Sequence, residues 1–129
     1  MNTELMHQNF QLLFVDDNVM LQMYFGEFLR SKGIKFDVAN NGIEAVNMVK
    51  SNTYNLVIMD IEMPRMNGLE ATVVIRNFNK EIPIVAFSAL QEKDIDFGTA
   101  KGMLNDYYQK NNDTISISMV LEKYHRKIA

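Results

Sequence analysis

Three stretches of this chain are almost unbroken in apolar residues: Leu12-Leu13-Phe14-Val15, Leu56-Val57-Ile58-Met59 and Ile84-Val85-Ala86-Phe87. A strand with one wet face alternates apolar and polar residues, so continuous runs bounded by polar segments require cover on both faces, as in a parallel sheet between helices. These runs predict strands over 11–15, 55–59 and 83–88, and two further ones, over 35–39 and 106–109, complete a set of five. The intervening segments supply the helices. In the first, Leu21, Tyr24, Phe25, Phe28 and Leu29 recur at helical spacing before Gly33 ends it. In the last, Asp113 or Thr114 can cap, Ile117, Val120, Leu121, Tyr124 and Ile128 form the apolar stripe, and Lys123, Arg126 and Lys127 suit the C-terminal end. Helices are also predicted over 42–52, 67–79 and 91–101, the last with Gly98 inside it, a residue that costs about 1 kcal/mol relative to Ala.

Strands alternating with helices through short connections imply right-handed crossovers and an open, doubly wound α/β parallel sheet, for which the flavodoxin-like (βα)5 arrangement with strand order 2-1-3-4-5 is a common solution. At 129 residues one domain is expected, over 10–129, after a short tail over 1–9. The 47% hydrophobic and 22% charged content matches ordinary globular domains. There is no cysteine, so disulfides and thiolate metal sites are excluded and a reducing compartment, the cytoplasm, is expected. A net charge of −3 offers no field for direct nucleic-acid binding. No stretch approaches the roughly 20 apolar residues of a membrane helix, and the first residues lack a signal peptide's features. Proteins are the expected partners.

In an open parallel sheet the C-terminal strand ends form the site. Asp16 and Asp17 end the first strand, Asp60 the third, Ser88 the fourth and Lys110 the fifth. Each alone has an ordinary explanation: Asp-Asp before a helix is often a cap, Lys110 can simply neutralise acids, and a serine at a turn predicts little. Together they say more. Three carboxylates a few ångströms apart repel unless a cation or proton intervenes, which points to a hard, oxygen-liganded divalent ion, with Mg²⁺ the natural candidate. A metal, an ammonium and a hydroxyl around a carboxylate complement a phosphoryl group, making phosphoryl transfer the leading chemistry.

The motifs extend beyond these five residues: Val15-Asp16-Asp17-Asn18; Asn41-Gly42-Ile43-Glu44-Ala45; Met59-Asp60-Ile61-Glu62-Met63-Pro64-Arg65-Met66-Asn67-Gly68-Leu69-Glu70-Ala71; Pro83-Ile84-Val85-Ala86-Phe87-Ser88-Ala89; and Gly102-Met103-Leu104-Asn105-Asp106-Tyr107-Tyr108-Gln109-Lys110. Over nearly the whole chain this pattern resembles the receiver domains of two-component response regulators, especially those of hybrid sensor histidine kinases. The resemblance implies that Asp60 is the phosphoacceptor, taking a phosphoryl group from phosphohistidine on a sensor histidine kinase or a histidine phosphotransfer protein. It further implies that Asp17 and Asp60 bind Mg²⁺ directly, with Mn²⁺ able to substitute, that Asp16 acts through water, and that the Glu62 backbone carbonyl adds a ligand. Ser88 and Lys110 would hold phosphoryl oxygens. Gly68 and Pro64 would serve turn geometry.

The same resemblance implies a switch in which Ser88 moves toward the phosphate and Tyr107 rotates inward, changing the face formed by the predicted helix over 91–101, the fifth strand and the last helix, where a downstream effector would dock. Tyr107 is otherwise a half-buried strand residue with its hydroxyl in water. Asn111 departs from the proline usual after the lysine, which removes the expectation of a cis peptide there. Val73 and Val74 are expected to pack internally or else to form a small apolar contact surface, His7 and His125 to be solvated, and most of the ten methionines to fill the core. Glu62 and Leu90 flank the path of water to the acceptor. A phosphatase with an aspartyl nucleophile lacks here its second acid and its cap, and a pseudo-receiver would have lost acids or lysine. The chain reads as a stand-alone regulator or as the receiver of a larger protein, carrying kinase activity only as a piece of a hybrid kinase.

Overall fold

Alternate residues of a strand point to opposite faces, and the apolar runs use both. In the computed structural model, which describes residues 10–110 and 115–125, Leu12, Phe14, Ile58, Val85 and Phe87 pack on one side of the sheet with Phe25, Leu29, Ile117 and Val120. Leu13, Val15, Val57, Met59 and Ile84 pack on the other with Ala45, Val49, Ala71 and Ile75. Burying one such large side chain stabilises the fold by about 1.5–3 kcal/mol. The sheet contains β1 (Gln11–Val15), β2 (Lys35–Ala39), β3 (Leu56–Asp60), β4 (Ile84–Ser88) and β5 (Asp106–Gln109), all parallel, in the order β2-β1-β3-β4-β5. Helices α1 (Val19–Ser31) and α4 (Ile115–His125) cover the first face, and α2 (Gly42–Ser51) and α3 (Gly68–Phe78) the second.

Among the described residues, asparagine opens α1, α2 and α3. Asn18, Asn41 and Asn67 each accept a backbone N–H from the residue three positions on, and Asn67 forms a full capping box with Glu70. Gly33, at φ 71°, ends α1: its N–H bonds to the Arg30 carbonyl and that of Ile34 to the Leu29 carbonyl, a Schellman arrangement. The predicted stripe of α4 is buried at Ile117, Val120, Leu121 and Tyr124. Asp113, Thr114, Arg126, Lys127, Ile128, Asn111, His7 and the predicted tail over 1–9 lie outside the described residues. Among the described residues no helix is long and apolar enough to cross a membrane.

The helix predicted over 91–101 does not form. Two single 3₁₀ turns, Glu92–Asp94 and Gly98–Ala100, take its place, separated by extended Ile95. Gly98 sits at φ 53° and Gly102 at φ 82°, conformations that interrupt a right-handed helix. Only Ala100 of this segment is buried, so too little apolar surface is gained to offset the ordering of a helix. An open groove of about 520 Å³ lies between the segment and β5, lined by Ile95, Phe97, Leu104 and Tyr107 among others. Arg76 anchors the chain just past it, donating to the carbonyls of Met103, Asn79 and Ile82 and to Asn105 Oδ1.

Two smaller expectations also change. His125 is half-buried and its ring meets Phe10 edge-on at 5.0 Å, rather than being solvated. Met59 and Met63 do fill the core, but Met20, Met23 and Met119 are exposed.

Gly68 does more than shape a turn. A Cβ there would run into the carbonyl oxygen of Asp60, because the start of α3 packs directly on the end of β3, with the Gly68 N–H bonded to the Ile61 carbonyl at 2.9 Å. The loop between them holds Arg65 at φ 69°, a left-handed conformation a non-glycine residue adopts only at a cost. Gly68→Ala is expected to lower the unfolding free energy by about 1–3 kcal/mol in urea titrations; an unchanged midpoint would show that the helix can retreat without loss.

Candidate functional site

Register brings the strand ends together. Pairing of Val15 with Met59, Asp60 with Phe87 and Ser88 with Gln109 sets Asp16, Asp60, Ser88 and Lys110 along one edge of the sheet. The backbone N–H of Lys110 donates to the Ser88 carbonyl at 2.7 Å, which holds the lysine to β4 as it leaves β5. Its side chain then reaches back across the sheet. Lys110 Nζ lies 2.7 Å from Asp16 Oδ2 and 3.3 Å from Asp60 Oδ1, bridging residues from the first and third strands. Carboxylate oxygens of Asp16, Asp17 and Asp60 all lie within 4.8 Å of one another.

Each acid is held differently. Asp16 is 1% exposed; its Oδ1 accepts the Asn18 N–H at 2.9 Å, and Oδ2 has the Lys110 ammonium as its neighbour. Gln22 Nε2 bridges the Asp16 carbonyl and Asn40 Oδ1, fastening this turn to α1. Asp60 is 4% exposed and accepts the Glu62 N–H at 3.3 Å. Asp17 faces solvent. Ser88 is fully buried and its Oγ donates to Glu62 Oε1 at 3.3 Å while accepting the Leu90 N–H at 3.1 Å. Tyr107 is half-buried, and its hydroxyl donates to the Leu90 carbonyl rather than pointing only to water.

Burial, followed by repulsion from Asp16, pushes the Asp60 pKa up from 3.8 to about 6, with Lys110 and the Glu62 N–H pulling the other way. For Lys110, burial favours the neutral amine, yet the hydrogen bonds and charges of Asp16 and Asp60 prevail and raise its pKa. One ammonium thus faces three carboxylates, leaving an excess of negative charge that a hard divalent cation would offset.

Sequence reasoning placed Asp16, Asp17, Asp60, Ser88 and Lys110 on one rim, and the structure brings them together. It did not find two things. Val19, Met20 and Met23 are exposed on α1 directly after the acidic pair, and so is Tyr24, a member of the predicted apolar stripe; for the first three the signal was available, since they fall beside the stripe of Leu21, Phe25, Phe28 and Leu29. The contact between Glu62 and Ser88 joins residues 26 apart in the chain and left no trace in the sequence.

The family model for the response regulator receiver domain matches residues 12–122, and the chain belongs to that family. It is thus a receiver domain of two-component signalling. It is 37% identical to the hybrid signal transduction histidine kinase B of Dictyostelium discoideum over 89% of its length, spanning 6% of that protein. Among solved structures it resembles response regulator TrrA of Thermotoga maritima in complex with Mg²⁺-BeF, with TM-score 0.80, 30% identity, and 89% of this chain and 98% of that one covered. It also resembles the receiver domain of Saccharomyces cerevisiae Ssk1 in complex with the histidine phosphotransfer protein Ypd1, with TM-score 0.82, 30% identity, and 91% and 89% covered.

The raised pKa of Asp60 carries a sign for stability. The folded state binds the Asp60 proton more tightly than the unfolded chain, so this group costs stability above pH 6, progressively less as pH falls from about 6 to about 4, and nothing further below. In metal-free buffer at pH 7.5, Asp60→Asn is expected to raise the unfolding free energy by about 1–2 kcal/mol, less than the full shift implies because the Lys110 contact weakens. The gain should shrink toward pH 5, as read by urea titration; a gain independent of pH would show that Asp60 is not held under electrostatic tension.

Proposed function

We propose that this receiver domain accepts a phosphoryl group on Asp60 from phosphohistidine of a sensor histidine kinase or a phosphotransfer protein, with Mg²⁺ bound. The observation that carries this reading is the Lys110 ammonium seated between Asp16 and Asp60. A buried carboxylate kept ionisable by an adjacent ammonium is a competent nucleophile toward phosphorus: an Asp60 oxygen forms the new P–O bond as the P–N bond to the donor imidazole breaks. Asp16, Asp17, Asp60 and the Glu62 backbone carbonyl would hold the metal, whose chemistry is to offset charge on the phosphoryl oxygens. The carboxylate oxygens of the three aspartates suit it, being hard and gathered on one rim. Lys110 would move from pairing acids to holding a phosphoryl oxygen, and the Ser88 hydroxyl would donate to another.

The exposed apolar residues at the start of α1 lie beside the acids, where a donor protein must seat to bring its histidine in line. Methionines adapt to varied partner surfaces, which suits a docking face. Output would pass through the segment of two 3₁₀ turns, β5 and α4, with Tyr107 as the moving side chain and an effector protein as its reader.

Incubation with Mg²⁺ and acetyl phosphate should add one phosphoryl group to the parent by intact mass and none to Asp60→Asn, with Lys110→Ala slower by on the order of 100-fold. Modification of Asp60→Asn at the parental rate would refute the assignment. Met20→Glu with Met23→Glu should slow transfer from a phosphorylated phosphotransfer protein by about tenfold and leave the acetyl phosphate reaction unchanged. Equal slowing with both donors would move the docking face elsewhere. With a phosphoryl mimic bound, Tyr107 should become less exposed; a single unaltered ring position would end the switch reading.

A further inference from the structure

A hydroxyl has one proton to give, and that of Ser88 is already engaged. Ser88 Oγ accepts the Leu90 N–H at 3.1 Å, which orients it, and donates to Glu62 Oε1 at 3.3 Å. Glu62 stands two residues past Asp60 with its side chain exposed, and its backbone N–H donates to Asp60 Oδ1 at 3.3 Å. One residue therefore touches the acceptor carboxylate through its backbone and the Ser88 hydroxyl through its side chain.

We propose that the Glu62 carboxylate is an internal stand-in for the phosphoryl group, occupying the Ser88 hydroxyl in the unmodified protein so that it must be displaced before Ser88 can bond to a phosphoryl oxygen on Asp60. This rests on Asp60 being the phosphoacceptor. Glu62 is then a positioning residue, acting through Ser88. Two anionic acceptors cannot share one proton, so every hydrogen bond from Ser88 to a phosphoryl group is made at the expense of the one to Glu62. The 3.3 Å separation is longer than an ordinary O–H···O bond and the glutamate is solvated, so the contact is weak and biases the equilibrium without locking it. Its effect travels further, because the Leu90 residue whose N–H meets Ser88 also offers its carbonyl to the Tyr107 hydroxyl. Glu62, Ser88, Leu90 and Tyr107 form one hydrogen-bonded chain from the acceptor loop to β5.

The competing explanation is that Glu62 acts only as a negative charge repelling anions, without using Ser88. A double-mutant cycle separates the two. Affinity for beryllofluoride with Mg²⁺ is measured by calorimetry for the parent, Glu62→Ala, Ser88→Ala and the double variant. Glu62→Ala should bind about three- to tenfold tighter than the parent, and the gain should vanish in the Ser88→Ala background. No gain, or the same gain in both backgrounds, would overturn the proposal. In metal-free, unmodified protein, Glu62→Ala should shift the Leu90 amide and Tyr107 ring resonances, and should leave them unmoved when Ser88 is already alanine. A Leu90 amide indifferent to Glu62 would also overturn it. A parent that binds no beryllofluoride would instead remove the reading of Asp60 as acceptor, and the metal-free spectra would still decide whether Glu62 holds Ser88.

Discussion

A single ammonium sets the geometry of the acidic rim. Asp16 and Asp60 are both nearly inaccessible to water, and two buried carboxylates so close cannot stay charged without a counterion. Lys110 provides one at 2.7 and 3.3 Å, and it can do so only because β5 is on the far side of β4 and its lysine side chain is long enough to cross back. Strand order, helix cover and the short loops at this edge all serve to bring a cation from the end of the chain to acids from its beginning and middle. The compensation is incomplete: Asp17 is adjacent and Asp60 remains hard to ionise. That residual negative charge makes the rim receptive to a divalent ion.

The backbone around the rim is packed to the limit. At Gly68 the first turn of α3 presses on the Asp60 carbonyl, and at Gly42 the first turn of α2 rests on the loop after β3, its N–H bonded to the Met66 carbonyl at 2.9 Å. These contacts fix the Asp60 loop from both sides. The opposite holds next to Ser88 and Tyr107, where the chain from Gln91 to Lys101 makes single turns with little buried surface. A rigid Asp60 loop beside a loosely built segment would let a modification at the proposed acceptor change a distant surface, since the segment has few contacts to lose.

Much of this was legible in the residues. The three apolar runs required a sheet covered on both sides, the asparagines before α1, α2 and α3 marked where helices begin, and the acids, serine and lysine at strand ends pointed to one site. Where reading failed, the cause was competition between weak local preference and burial. Residues 91–101 contain enough helix-compatible residues to suggest a helix, but Gly98 and the lack of an apolar stripe decided otherwise. His125 and the exposed methionines went astray because residue type predicts average burial, not the neighbours a given side chain meets.

The amino-acid sequence by itself determined the class of fold and the identity of the rim residues, because these follow from periodicity and from which residues terminate strands; the strand order was one common solution that the tertiary pairing selected. Only the tertiary structure decided which acid the lysine meets most closely, that Glu62 reaches Ser88, and that Tyr107 meets the Leu90 carbonyl. Those pairings join residues far apart in the chain, and their distances depend on register, loop shape and side-chain length acting together, none of which local sequence encodes.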